Sequence, residues 1–183
     1  MSMKRLSADQ RGVILNGGVG IAIALITGIS AYVWLPEGWF GIELLSSAGE
    51  RIAFALKWSI PLLLWLAFCI RQVSSGRFNS PSDIGGSAYS EPSPAIAVAR
   101  AVLQNTLEQT VLAVGAYLAL AVTLRGRELV LIPVLAVLYL AGRGWFAVGY
   151  SGGAPGRAGG MVLTAAPTIG ALLLASWLAI AGG

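Results

Sequence analysis

The sequence predicts an all-α membrane protein with five spans, on three observations. Five apolar stretches recur along the 183 residues, each close to the ~20 residues that a bilayer core requires. Only 11% of the residues are charged and 56% are hydrophobic, where a soluble domain carries about 25% charged residues. No short segments of alternating apolar and polar residues are visible. That excludes a transmembrane barrel and leaves helices, which satisfy their own backbone.

The elements follow in order. Met1 to Arg11 is a short basic tail, and Val13 to Leu35 is the first span. This run exceeds the ~7–15 apolar residues of a signal peptide core and lacks a cleavage site, so it reads as a retained helix. Its Gly20, Ala24 and Gly28 form a small-residue ridge suited to close helix contact. Asn16 reads as a satisfied polar contact near the membrane edge. Pro36 to Arg51 is a loop with Glu37, Glu43 and Glu50, anchored by Trp34 and Trp39. Ile52 to Ile70 is the second span, with Pro61 as a kink site and Lys57 able to snorkel. Arg71 to Pro94, rich in Ser, Gly and Pro, reads as a long loop. Ala95 to Leu124 is the third span, RGRE (125–128) a tight turn, and Leu129 to Tyr150 the fourth span. Ser151 to Gly159 is a glycine-rich turn, and Gly160 to Ala181 is the fifth span, with Ala171, Ala175 and Ala179 as a second ridge.

Composition narrows the chemistry. The chain has no histidine and a single cysteine, Cys69. An imidazole base, an intrachain disulfide, a CxxC redox pair and a cysteine metal cluster are therefore excluded, and no metal site is expected. The net charge of +4 belongs to membrane flanks and embedded arginines, not to a nucleic-acid surface.

Two polar stripes interrupt this apolar background. The third span carries Arg100, Gln104, Asn105, Glu108 and Gln109. An ionisable side chain at membrane depth costs at least ~2.5–3.5 kcal/mol, so such groups face a bundle interior, a cavity or a ligand. At roughly 100° per residue, Arg100, Gln104 and Glu108 share one helix face, with Asn105 beside them. On the fourth span, Tyr139, Arg143, Phe146 and Tyr150 keep to one narrow stripe. The bland reading is an end-of-helix arginine within an aromatic belt. The sharper reading is a ligand wall in which Arg143 binds a carboxylate and Tyr150 offers its hydroxyl. Arg157, at or just before the fifth helix, adds a cation to a helix N-terminus, and both favour an anion. An arginine is no general base, but it stabilises a thiolate or an oxyanion.

Six flanking basic residues (Lys4, Arg5, Arg11, Arg71, Arg77 and Arg157) fall on the side of the N-terminus, against Arg51, Arg125 and Arg127 on the other. That bias predicts a multi-pass protein of the cell (inner) membrane, with the N-terminus cytoplasmic and the C-terminus opposite. Arg100 and Arg143 then lie in the cytoplasmic half, near the long loop and Arg157.

Together the motifs resemble the family of membrane-associated proteins in eicosanoid and glutathione metabolism, MAPEG. The resemblance covers roughly Leu56 to Gly183. It rests on Arg100 ahead of Asn105 and Glu108 in RAVLQNTLEQ, and on RGWFAVGYSGGAPGR, which holds Arg143, Phe146, Tyr150 and Arg157. It implies a four-helix bundle over residues 52–183; the N-terminal helix and loop over residues 1–51 are additional to the family's four helices. It implies a homotrimer binding glutathione between subunits near the cytoplasmic face, as co-substrate. Arg100, Asn105, Glu108 and Arg143 would hold the tripeptide, with Gln104 and Phe146 beside them. Tyr150 would help hold it, Arg157 would stabilise its thiolate, and Arg71 or Arg77 would reach the same pocket. The chain departs from the family pattern in two places: Arg100 stands five residues before Asn105 where four is usual, and Phe146 replaces a common tyrosine.

Two functions are consistent with these features. One is a glutathione S-transferase or peroxidase acting on a lipophilic substrate that arrives from the membrane lipids. The other is a non-enzymatic scaffold, or a binder of an anionic lipid or metabolite, with the third-span stripe as an interhelical staple. A proton-coupled transporter using Glu108 ranks lower, because the arginines gather at one face and not at the midplane.

Overall fold

The computed structural model describes residues 6–36, 38–86 and 88–182. Lys4, Arg5 and Glu37 lie outside the described residues. Five long helices make up the chain: α1 (Ala8–Trp34), α2 (Ala48–Phe78), α3 (Pro94–Thr123), α4 (Leu131–Gly149) and α5 (Gly153–Ala181). The chain is 86% helical with no strand among the described residues, so the expected all-α class holds. Length and hydropathy mark Ala8–Trp34, Ala48–Phe78, Pro94–Thr123 and Gly126–Ala181 as apt to cross a membrane. The last of these contains the turn between α4 and α5.

Both of the first two helices start on capping boxes. The Ser7 hydroxyl accepts from the Gln10 amide at 3.1 Å while the Gln10 side chain accepts from the Ser7 amide at 2.8 Å. Ser47 and Glu50 repeat the arrangement at α2, each box satisfying amides that a helix start otherwise leaves orphaned. These caps explain why α1 and α2 begin several residues ahead of the apolar runs.

Two expected loops are corrected. α2 runs unbroken through Pro61 and on to Phe78, so Arg71 and Arg77 sit on its last turns and not in a loop. Nothing in RQVSSGRF breaks a helix, and Gly76 leaves room for Ile96: a Cβ there would lie 2.6 Å from the Ile96 Cδ1. The described residues of the true loop, 79–86 and 88–93, fold around the buried Asp83, which accepts from the Ser80 hydroxyl at 2.5 Å and the Ser93 amide at 2.8 Å. Those bonds hold its carboxyl below the usual aspartate range. The glycine-rich turn also shrinks, because α5 starts at Gly153 and its early Pro155 lacks an amide that no helical carbonyl needs there. Arg157 therefore lies inside α5, one turn beyond the expected position.

α4 and α5 meet backbone to backbone. A Cβ at Gly149 or Gly156 would collide with the other residue's carbonyl, and one at Gly160 with the backbone of Phe146. On the other side of α5, α1 is pinned at both ends. Near its start, Gly12 rests on Pro155, the Asn16 amide donates to the Pro155 carbonyl at 2.9 Å, and Gly20 rests on Gly159. Near its end, Arg127 donates to the carbonyls of Tyr32 and Val33 at 3.0 and 2.8 Å. Within the expected ridge, Gly20 makes the close backbone contact and Ala24 packs against the cluster of Ala31, Val134, Leu138 and Leu163. Gly28 meets nothing, and it lines with Ala24 an apolar crevice of about 170 Å³ between the pinned ends. On α5, Ala171 and Ala175 are buried while Ala179 is exposed. The main core, with Leu62, Tyr117, Leu120, Leu129 and Ile132, fills the half of the bundle away from Pro155.

Candidate functional site

The polar groups collect at the other end, where α1, α3 and α5 start and α2 and α4 finish. Arg143, one of the largest buried side chains at 1% exposure, sits between α3, α4 and α5. Its Nη1 donates to Asn105 Oδ1 at 2.7 Å and its Nε to Thr164 Oγ1 at 3.2 Å, while Nη2 points at Met161 Sδ, 3.9 Å away. Gly142 makes the close packing possible, since any Cβ there would strike Thr164. Among the described residues, no carboxylate touches this guanidinium. The guanidinium carbon also lies 4.4 Å from the centre of the Phe146 ring, a cation–π contact. Phe146 meets Tyr150 edge to face at 5.5 Å, and Arg157 lies 4.7 Å over the Tyr150 ring. The row Arg143–Phe146–Tyr150–Arg157 therefore alternates cation, ring, ring, cation.

In front of this row lies a cavity of about 380 Å³ whose wall includes Val13, Asn105, Phe146, Tyr150, Arg157 and Met161. The size falls within the range of small-molecule sites. Arg157 makes no hydrogen bond to a described residue, so its donors are open to the cavity.

The structure brings together Asn105, Arg143, Phe146, Tyr150 and Arg157. Arg100, Gln104 and Glu108 lie on the exposed face of α3, outside this wall, with Gln104 Nε2 donating to Glu108 Oε1 at 3.0 Å. The two expected stripes therefore meet within one chain through Asn105 alone. Arg71 is exposed on α2, and Arg77 is half-buried on its last turn; neither lines the cavity. Tyr139, lower on the same α4 stripe, is buried and shares a 2.6 Å hydrogen bond with Thr110.

Three participants escaped the sequence reading. Thr164 stands seven residues after Arg157, on the same face of α5, so a signal existed. Met161 and Val13 look like lipid-facing residues until the helices are packed.

Long apolar helices around a recessed arginine–aromatic cluster define a multi-pass, all-helical membrane protein. The sequence pattern of the MAPEG family matches residues 52–177, and the chain belongs to that family, a membrane family of glutathione-related transferases and peroxidases that is generally trimeric. The match begins in α2, so α1, with Val13 and Asn16, lies outside it. No curated protein and no solved structure matches the chain.

Proposed function

We propose that the cavity binds glutathione, or a similar anionic thiol, and activates its sulfur toward a lipophilic electrophile. The observation that carries this reading is the buried Arg143 guanidinium with only neutral partners directly behind the cavity wall. A buried charge without a counter-charge is costly, and an anionic ligand would supply what the protein withholds. Asn105 and Arg143 would hold a carboxylate. Arg157 would stabilise the sulfur anion with its free donors, and Phe146 and Tyr150 would close the apolar side of the reacting centre. The thiol proton would leave to water, because the site holds no imidazole to take it. Glutathione supplies the nucleophile: its sulfur bonds to the electrophilic carbon as the leaving group departs. A cation beside the sulfur lowers the thiol pKa from ~8.5, which raises the thiolate fraction near neutral pH.

In a homotrimer, the exposed Arg100, Gln104 and Glu108 stripe would complete a neighbouring copy's pocket, with Glu108 meeting the ligand ammonium. With the N-terminus cytoplasmic, as the bias of basic residues predicts, the site would face the thiol-rich side of the cell membrane. The test is ultraviolet thiolate absorbance when glutathione is added to detergent-purified protein. The signal should appear with the native protein and vanish with Arg157→Ala. Absence of both absorbance and a thermal shift would favour the scaffold reading, in which Gln104 and Glu108 staple helices.

A further inference from the structure

The end of the bundle away from Arg157 holds a second cavity, of about 370 Å³, whose wall includes Phe40, Leu44, Glu50, Phe54, Lys57 and Trp58. Three features set it apart from a packing defect. Its wall carries one charge of each sign, Glu50 and Lys57, spaced i, i+7 and hence on one face of α2, about 10 Å apart along the axis. Lys57 is exposed and has neither a hydrogen bond nor an ion pair with a described residue. Glu50 spends Oε2 on Ser46 and the Ser47 amide, and its Oε1 is open. The third feature is the backbone. Phe40, at φ 70°, is the one non-glycine residue in the left-handed region among those described, and Gly41 follows at φ 67°. A bulky residue in that region is strained, and strain of this kind gathers at ligand sites. It turns the Phe40 ring edge-on to Trp58 at 5.3 Å, closing the cavity's apolar side.

We infer that this cavity seats the headgroup of a zwitterionic membrane phospholipid bearing a primary ammonium, as phosphatidylethanolamine does. The charge order fits. α2 begins at this end of the bundle with Ala48 and its apolar run follows Arg51, so Lys57 is the deeper group and Glu50 the outer one. A phospholipid presents its phosphate deeper and its ammonium further out, with acyl chains running inward. Lys57 takes the phosphate, Glu50 Oε1 takes an ammonium N–H, and the glycerol and upper chains lie along Trp58 and Phe54. Leu44 in the wall and Trp39 beside it are exposed, as expected of a seat that opens sideways to lipid.

The test reconstitutes the full chain in vesicles of equal phosphatidylethanolamine, phosphatidylcholine and phosphatidylglycerol, releases it gently, and weighs bound lipid by native mass spectrometry. The native protein should retain phosphatidylethanolamine in preference to the other two. Lys57→Gln should lower its retention roughly tenfold, the worth of about one hydrogen bond to a charged group. Glu50→Gln keeps the capping box and should erase the preference over phosphatidylcholine, whose ammonium donates no hydrogen bond. A preference for phosphatidylglycerol, or the same retention in all three proteins, would overturn the assignment. Thiolate absorbance with glutathione should be unchanged in both variants, so this inference and the proposed function fail independently.

Discussion

Arginines at the two ends of the bundle are used in opposite ways. At the end where α2 begins, Arg51 donates to the Ala121 and Ser46 carbonyls at 2.9 and 3.1 Å, and Arg127 to those of Tyr32 and Val33. These guanidiniums are finished: they tie off the carbonyl ends of α3 and α1, where backbone oxygens lack partners. At the other end, Arg143 and Arg157 lie on aromatic rings, and neither meets a backbone carbonyl or a carboxylate among the described residues. Residue type does not separate staple from site in this chain. The nature of the acceptor does.

That contrast is sharpest at Arg157. Arg157→Ala should lower conjugating activity about 10²–10³-fold, the usual effect of removing one group that stabilises a developing anion. Initial rates with a lipophilic electrophile check this, and a loss under tenfold would return Arg157 to the finished class. A paired substitution comes next. Arg51→Met should lower melting in detergent, by about 1–3 kcal/mol, because it orphans a buried carbonyl, and should leave glutathione affinity alone. Arg143→Met should do the reverse. Binding is lost while the ligand-free protein melts no lower, as buried charges replaced by apolar groups of similar volume often behave. Equal destabilisation by both would erase the distinction.

A smaller effect tests the helix outside the family match. Asn16→Leu releases the Pro155 carbonyl, two residues from Arg157. With one hydrogen bond worth about 1 kcal/mol, KM for the thiol should rise about fivefold with kcat unchanged. The least change is expected in the loop over the site end. The Asp83 carboxyl titrates below its ordinary ~3.9 because Ser80 and Ser93 donate to it. The loop therefore keeps this support above that value and loses it as pH falls through the lower folded value. Limited proteolysis of residues 79–93 should accelerate only in that acid range, and Asp83→Asn should show the acid behaviour at neutral pH.

The helical class was legible because a bilayer imposes length and apolarity on every span. Helix ends were less so. Hydropathy reports where lipid stops, and Ser7, Ser47 and the RQVSSGRF segment extend helices past that point. The α4 stripe could be read because Arg143, Phe146 and Tyr150 lie on one face whatever packs against it. The orientation of α3 could not. Polar residues occupy two adjacent faces, Gln104 with Glu108 and Asn105 with Gln109, and only the second pair turns inward. In water, the apolar face would reveal which side is buried. In a membrane both sides are apolar, and the small residues Thr106, Thr110 and Ala113 decide it by close packing.

The pinning of α1 has a consequence for traffic. α1 and α3 have no extensive packing, yet both contribute to the wall of the cavity beside Arg157, so under the proposed function the gap between them would be the way in. Because α1 is bolted at top and bottom, one jamb is fixed. If the proposed function holds, a lipophilic substrate would pass only if it is narrow enough for the width beside Val13. Enlarging that residue would discriminate by girth, slowing branched compounds before straight ones.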